Sequence, residues 1–404
     1  MSVKSYIFSF ILIFIPTIGI SEPINSSVWS YLQSQDLFGK VSGPSLAIKN
    51  SIGTNQLFKT NRLATNLALS FDNTSDLKLD GSYLNYNLKN FTIGVGKTHR
   101  KWSFSPLTSL FLSNNARPAD SIYLGVKNDT STHSWLSKIG FSSFEIFNAK
   151  LKNLNGPKDT MMLGARVIII PITNLEFEAI KISQWGGDGY NKSIKNVPAG
   201  FFGNTNEGPY ANINQLAGIG VSYKLPLEHF PFHLYGQILG EDEAGALPSC
   251  TIYFLGLELD TNIMNKPTSV GLEFIDTRTN ISKDGFCGEA AAYNNNTYRY
   301  TNYDVVMGPA IDSDGKMFNF RTSSKLTPTL KIEYSMKKIL INDNNYARHS
   351  LSTQRERGLI NSLTLQWQKD KIKHVATINH QDINLDKTSL QNGFSFSLLT
   401  QILF

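Results

Sequence analysis

Three acids in a row, Glu241-Asp242-Glu243, are the densest cluster of reactive groups in the chain. Two suitably spaced carboxylates hydrolyse glycosides, and several together hold calcium through oxygen ligands. Neighbours in an extended strand point to opposite faces, so the run forces neither chemistry. Solvated acids, or partners for loop arginines, are the simpler reading; sugar hydroxyls or a bridging cation are the alternatives. The stretch Gln184-Trp185-Gly186-Gly187-Asp188-Gly189 has the glycine content of a phosphate cradle. It lacks the Lys-Ser/Thr and the following helix that such a cradle requires. Its glycines then serve a sharp turn. Trp185 offers a flat apolar face with a polar N–H, suited either to a sugar ring or to a membrane interface.

Further polar groups fit a sugar ligand without demanding one. Asn114 and Asn115 can each donate and accept, as sugar hydroxyls require, and Arg117 would pair with an acidic sugar carboxylate. Turn chemistry before Pro118 accounts for the same residues. Asp312-Ser-Asp-Gly315 has the first half of a calcium loop but not its later glutamate. The seven histidines show no ligand spacing, and no Gly-x-Ser-x-Gly elbow is present. The expectation is therefore no catalytic residue, no metal and no cofactor.

The elements that must position these residues are strands. Lys4, an apolar run from Tyr6 to Ile15 and small residues before Glu22 read as a cleaved secretory signal over residues 1–21. Without its single lysine the formal charge falls from +6 to +5, with the basic residues scattered, so no nucleic-acid partner is expected. Beyond it no apolar run is long enough for a membrane helix. Short alternating segments recur instead, among them Leu63 to Phe71, Thr251 to Leu259 and Leu363 to Trp367, each bounded by turn residues. The last, Phe394 to Phe404, is amphipathic over about ten residues and closes on an aromatic, as the final strand of an outer-membrane barrel does; a soluble sandwich can also end in a strand, but the exported chain with its many antiparallel signals favours the barrel. Roughly sixteen strands, with connections alternating short and long, predict a transmembrane antiparallel β-barrel over residues 61–404. The sections Gly39 to Thr60 and Asn302 to Gly315 have room for more strands. Long connections, Glu241 to Cys250 among them, are assigned to the outside by counting back from Phe404. Residues 22–60 are read as a periplasmic segment with a short helix over Ile24 to Leu37, since Val28 and Leu32 stand at helical spacing behind capping serines. Cys250 and Cys287 then share the outer rim, where a disulfide is geometrically reasonable.

With the barrel in place, Ser113-Asn-Asn-Ala-Arg-Pro118, Gln184-Trp-Gly-Gly187, Asn214-Gln-Leu-Ala-Gly218, Tyr235-Gly-Gln237 with Gly240-Glu-Asp-Glu243, and Glu273-Phe-Ile-Asp-Thr277 occur in the order seen in the capsule assembly Wzi family. The resemblance runs from about Gly94 to Asp314. It implies an eighteen-stranded outer-membrane barrel with a periplasmic helical element, which holds capsular or extracellular polysaccharide without turning it over. Trp102-Ser-Phe-Ser-Pro106 departs from the Trp-Gly-Pro that the family tends to carry there, a departure that bears on the local turn and on any ligand contact; Trp102 stands among the candidate sugar contacts beside Asn114, Asn115, Arg117, Trp185, Asp188, Glu241, Asp242 and Glu243. Outer-membrane lipid and the barrel-assembly machinery, for which Phe404 is the signal, are the other implied partners. A porin or substrate-specific channel, or an outer-membrane hydrolase, remains the alternative on barrel physics alone.

Overall fold

The computed structural model describes residues 25–34, 38, 50–72, 76–128, 139–192, 201, 213–227, 231–244, 247–279, 287–390 and 392–404. The expected signal, residues 1–21, lies outside them.

One antiparallel sheet closes on itself. It contains nineteen strand segments, of which Leu77–Lys78 and Tyr83–Leu88 both pair with Leu63–Phe71 and form one interrupted span, leaving eighteen spans. Closure joins Asn25–Gln33 to Gly393–Leu403, from Ser27 opposite Leu403 to Gln33 opposite Ser397. With an even span number both ends of the barrel chain fall on the same side. The short turns 60–62, 89–90, 173–174, 264–265 and 370–371 share that side, while the chain leaves the strands ending at Gly96, Gly186, Asp276 and Ile341 on the other.

The burial pattern is inside out. Leu84, Tyr86 and Leu88 of one span and Phe91, Ile93 and Val95 of the next are bare on the outer surface. Asn85, Asn87 and Thr92 alternate with them and face the lumen. Closed pairing leaves the sheet without an open edge, whose ladder groups lipid could not hydrogen-bond. The exposed apolar belt is then the lipid contact rather than an aggregation hazard.

The helix expected over Ile24 to Leu37 is not formed. Asn25–Gln33 is a strand that also pairs with Ser51–Lys59, so the barrel begins near residue 25 and not at 61. The spacing misled because Val28 and Leu32, four apart, share a face in a helix and equally in a strand of period two. Trp29, Tyr31 and Gln33 fill the lumenal face in between and are buried, and the edge of the C-terminal strand needs a partner that only this segment provides. These two strands raise sixteen to eighteen. Between Asn302 and Gly315 there is instead half of a small hairpin, Thr301–Asn302 with Val305–Val306, separate from the barrel sheet. The expected loop Glu241 to Cys250 is also mostly strand, with Asp242 opposite Ser249 and Glu243 opposite Pro248.

Candidate functional site

The outer connections fold inward and plug the barrel. Leu110 and Phe111 from one loop and Tyr293, Tyr300 and Ile311 from another are fully buried among the inward side chains Leu239, Ile252, Phe254 and Ile275 of the wall. The Tyr293 and Tyr300 rings stack at 5.6 Å. Their hydroxyls donate to the carbonyls of Leu110 (2.6 Å) and Phe111 (2.9 Å), tying the two loops together. Burial, with the charge of Glu241 adding to it, pushes both phenols well above their ordinary range, so they stay protonated donors.

Polar side chains on the wall socket this plug. Gln237 donates through Nε2 to the Trp102 carbonyl (2.6 Å) and to Glu178 (2.5 Å), while its Oε1 accepts from the Leu110 amide (3.0 Å). Glu178 is also paired with Arg166, whose Nε donates at 2.8 Å. Glu273 accepts from Ser105 (2.5 Å) and Tyr235 (2.9 Å). Ser105 Oγ in turn accepts from the amides of Leu107 and Thr108, both at 3.0 Å. The departure from Trp-Gly-Pro thus places a turn-stabilising hydroxyl where it also meets the wall. Gln184 donates to the Arg299 carbonyl (3.1 Å), Asn214 to Gln184 (2.9 Å), and Tyr298 to the Gly186 carbonyl (2.8 Å).

Most candidate sugar contacts are absorbed by this packing. Trp102 is buried edge-on against Phe147 (5.2 Å) and donates from Nε1 to Glu145 (3.3 Å). Asn115 donates to the Val306 carbonyl (2.9 Å). Arg117 grips Asp80 with two nitrogens (2.7 and 3.0 Å), lies over the Tyr303 ring at 4.2 Å, and accepts on its carbonyl from Asn302 (2.8 Å). Burial acts to lower the Arg117 pKa, yet Asp80 outweighs it and the net shift is upward, so the guanidinium stays charged. Trp185 occupies the outward register of its strand with Phe177 and Ala179, but it is only 7% exposed, so its ring is covered by protein. Phe201 lies over Lys181 at 5.8 Å on that same face. The glycines after Trp185 do turn the chain, with φ of 68° at Gly186 and 90° at Gly187. Glu241 has the inward register beside the plug tyrosines; the side chains of Asp242 and Glu243 lie outside the described residues. Asp312 is paired with Arg299 (2.9 Å) and Ser350, and Asp314 accepts from Asn344, so both are plug fasteners. Cys250 and Cys287 are joined as a disulfide, Cα atoms 5.4 Å apart, fastening a wall strand to the plug loop.

What stays open is the outer rim. Asn114 is exposed, and so is Asp188, which pairs with Lys192 at 2.7 Å. Around Asp188 the rim also presents Asn155, Lys158, Tyr190 and Asn295, with Tyr190 tilted against Tyr298 at 5.6 Å. The Lys192 hydrogen bond, and then its charge, hold the Asp188 carboxyl below its usual range, so it is ionised. Sequence reasoning passed over Tyr190 and Lys158; the one available signal was the interleaving of Tyr with Asn from Tyr293 to Tyr303, a segment that borders this rim.

The sequence profile of the Capsule assembly protein Wzi family matches residues 29–392. A protein from the cps region of Klebsiella pneumoniae, an uncharacterised 55.8 kDa chain, is 29% identical over 213 residues, 52% of this chain and 42% of that protein. This chain therefore aligns with less than half the length of that relative. Among solved structures, Wzi of Escherichia coli, an outer-membrane protein involved in group 1 capsule assembly and a carbohydrate-binding β-barrel, superposes with a TM-score of 0.81. The sequences are 21% identical, over 94% of this chain and 84% of that one. OprD of Pseudomonas aeruginosa shares the fold more distantly, with a TM-score of 0.55 at 10% identity over 96% and 97% of the two chains. The closed sheet, its apolar belt and these matches place the protein in the outer membrane. With its sequence profile matched over residues 29–392, the protein belongs to the capsule assembly Wzi family.

Proposed function

We propose that the protein binds capsular or extracellular polysaccharide at its outer rim and holds it on the cell surface, without chemical turnover. Membership of the capsule assembly family carries this reading. The rim supports it: an aromatic ring, an amide, a carboxylate and a lysine lie together at Tyr190, Asn155, Asp188 and Lys158, the mixture that sugar rings and hydroxyls engage. Each contact is weak, and a long polymer repeats it, so attachment comes from avidity. The lumenal carboxylates Glu178 and Glu273 are engaged by neighbours, Glu178 by Arg166 and Gln237 and Glu273 by Tyr235 and Ser105.

The channel reading is disfavoured by the plug itself, whose apolar core fills part of the lumen that a solute path would use. Tyr190→Ala combined with Lys158→Ala is expected to leave barrel insertion intact while moving polysaccharide from the cell-bound to the released fraction. Unchanged partitioning with normal insertion would remove this rim from the attachment surface.

A further inference from the structure

The lipid-facing belt is not smooth. One row crosses five neighbouring strands through Val221, Gly236, Leu255, Phe274 and Phe318, each the ladder partner of the next. The row faces outward: Tyr235, Phe254 and Glu273, one residue away on their strands, are buried in the lumen, while Val221, Leu255 and Phe318 are exposed. Gly236 leaves one place in the row without a side chain, between Leu234 and Ile238 of its own strand, which are 44% and 49% exposed. A Cβ there would stand 2.8 Å from the Phe254 carbonyl oxygen and 3.0 Å from Leu255 Cδ2, so the close approach of the next strand keeps the place empty. The result is a groove of about 540 Å³ on the outside of the wall, with Val221, Leu234, Leu255, Leu272 and Phe318 along it. Ligand pockets generally hold roughly 300–1,000 Å³.

The surroundings decide what fills it. The groove is continuous with the apolar belt that meets lipid, so its occupant comes from the bilayer. Tyr223, at its edge, pairs with Leu175 beside the short turn 173–174, which puts this end of the groove on the periplasmic side. A second copy of the barrel fills it poorly, because a two-fold contact sets the same patch against itself and concave on concave leaves a void. A hydrocarbon chain conforms to the shape. Against a convex wall such a chain touches protein along one side, whereas in the groove it is flanked by side chains as well, and dispersion attraction grows with every added neighbour.

We propose that this groove is a binding site for an acyl chain of a phospholipid in the periplasmic leaflet, held against Val221, Leu234 and Leu272 in preference to exchange with the surrounding lipid. The site lies on the outer face of the wall and depends neither on the attachment reading nor on the plug.

The test is native mass spectrometry of the full chain, reconstituted in vesicles of palmitoyl-oleoyl phosphatidylethanolamine and phosphatidylglycerol and then transferred to lauryldimethylamine oxide. The parent should retain a single phospholipid. Val221→Phe and Leu272→Trp enlarge exposed side chains into the groove without touching the lumen. Each should lower the retained fraction about tenfold, as a tenfold weaker affinity requires. Leu365→Phe, at an exposed belt position on another strand, should leave it unchanged. No retained lipid on the parent, undiminished retention in both filled variants, or an equal fall in Leu365→Phe would overturn the proposal. So would a dimer that dissociates in the filled variants, which would give the groove to a second copy.

Discussion

Gln237→Leu is the sharpest probe of the plug. The substitution keeps the approximate volume of a side chain that is 2% exposed, and removes its hydrogen bonds to Trp102, Glu178 and Leu110. A buried group left without its partner costs about 1–3 kcal/mol. Three such groups, with relaxation of the loop absorbing part of the loss, put the cost near 3 kcal/mol. The damage should be local, because the ladder partners of Gln237 are Gly220 and Phe254 through the backbone and remain bonded. The population with the 97–119 loop undocked should therefore rise about 100-fold. Hydrogen exchange reads this at the amides of Trp102 and Ser113, which bond to the carbonyls of Leu112 and Met307 in the docked loop. They should exchange about 100-fold faster while the strand amides stay protected. Planar-bilayer recordings should show brief openings absent from the parent. Unaltered exchange at Trp102 and Ser113 would refute the view that Gln237 fastens the plug, and a uniform rise through the strands would refute its being a local fastener.

The other predictions test the outer clamp, the titrating plug and the seam. Reduction, or Cys250→Ser with Cys287→Ser, releases a link spanning 37 residues, for which chain entropy allows up to about 4 kcal/mol; calorimetry with and without reductant should show a lower melting temperature, and an identical one would leave the bond without a stabilising role. Burial raises the Asp314 carboxyl above its ordinary 3.8, although the Asn344 backbone and side chain pull it down. The folded state then holds that proton more tightly than the unfolded one, so this contribution falls as pH rises from 3.8 to the raised folded value and stays lost above it. Asp314→Asn should flatten the pH dependence of stability in that window, and equal slopes would remove Asp314 from it. Deleting Phe404 removes its amide bond to the Ser26 carbonyl (2.9 Å) at the seam; folded, heat-modifiable barrel in membrane fractions should drop, and a normal yield would count against Phe404 as an assembly signal.

Strand alternation made the barrel readable, since Phe394 to Phe404 and its peers carry a period-two pattern, and the terminal aromatic and the alternation of short and long connections point to a membrane barrel rather than a soluble sandwich. It failed at Asn25–Gln33, where two apolar residues four apart fit a helix and a strand alike, and where the deciding contact is with a strand more than 360 residues away. The site was harder for a different reason. Trp102, Asn115 and Arg117 carry the chemistry of sugar recognition, but the same donors and rings also satisfy a buried plug, and sequence does not say whether an outer loop stays outside. Only Glu145, Val306 and Asp80, each remote in sequence, decide it.

That outcome changes what the family motifs mean in this chain. Gln184, Asn214, Gln237, Glu273 and Arg117 all come from the motifs, and each bonds to a residue of the inward-folded loops or, for Arg117, ties its own loop to Asp80. Their exacting spacing follows from buried hydrogen bonding, where a misplaced donor leaves a partner unsatisfied. A rim residue such as Tyr190 or Lys158 faces solvent and carries no such constraint. These motif residues therefore mark the scaffold, and on the proposed attachment reading the choice of polymer would rest with exposed rim residues, most of which lie between the motifs. A chain could exchange its rim for another polymer at little cost in stability, because surface changes away from such networks shift stability by about half a kcal/mol or less. Grafting residues 152–158 and 188–192 from a relative that retains a different capsule should then transfer polymer preference while Trp102 and Ser113 stay protected from exchange, and retention of the original preference would place specificity inside the plug instead.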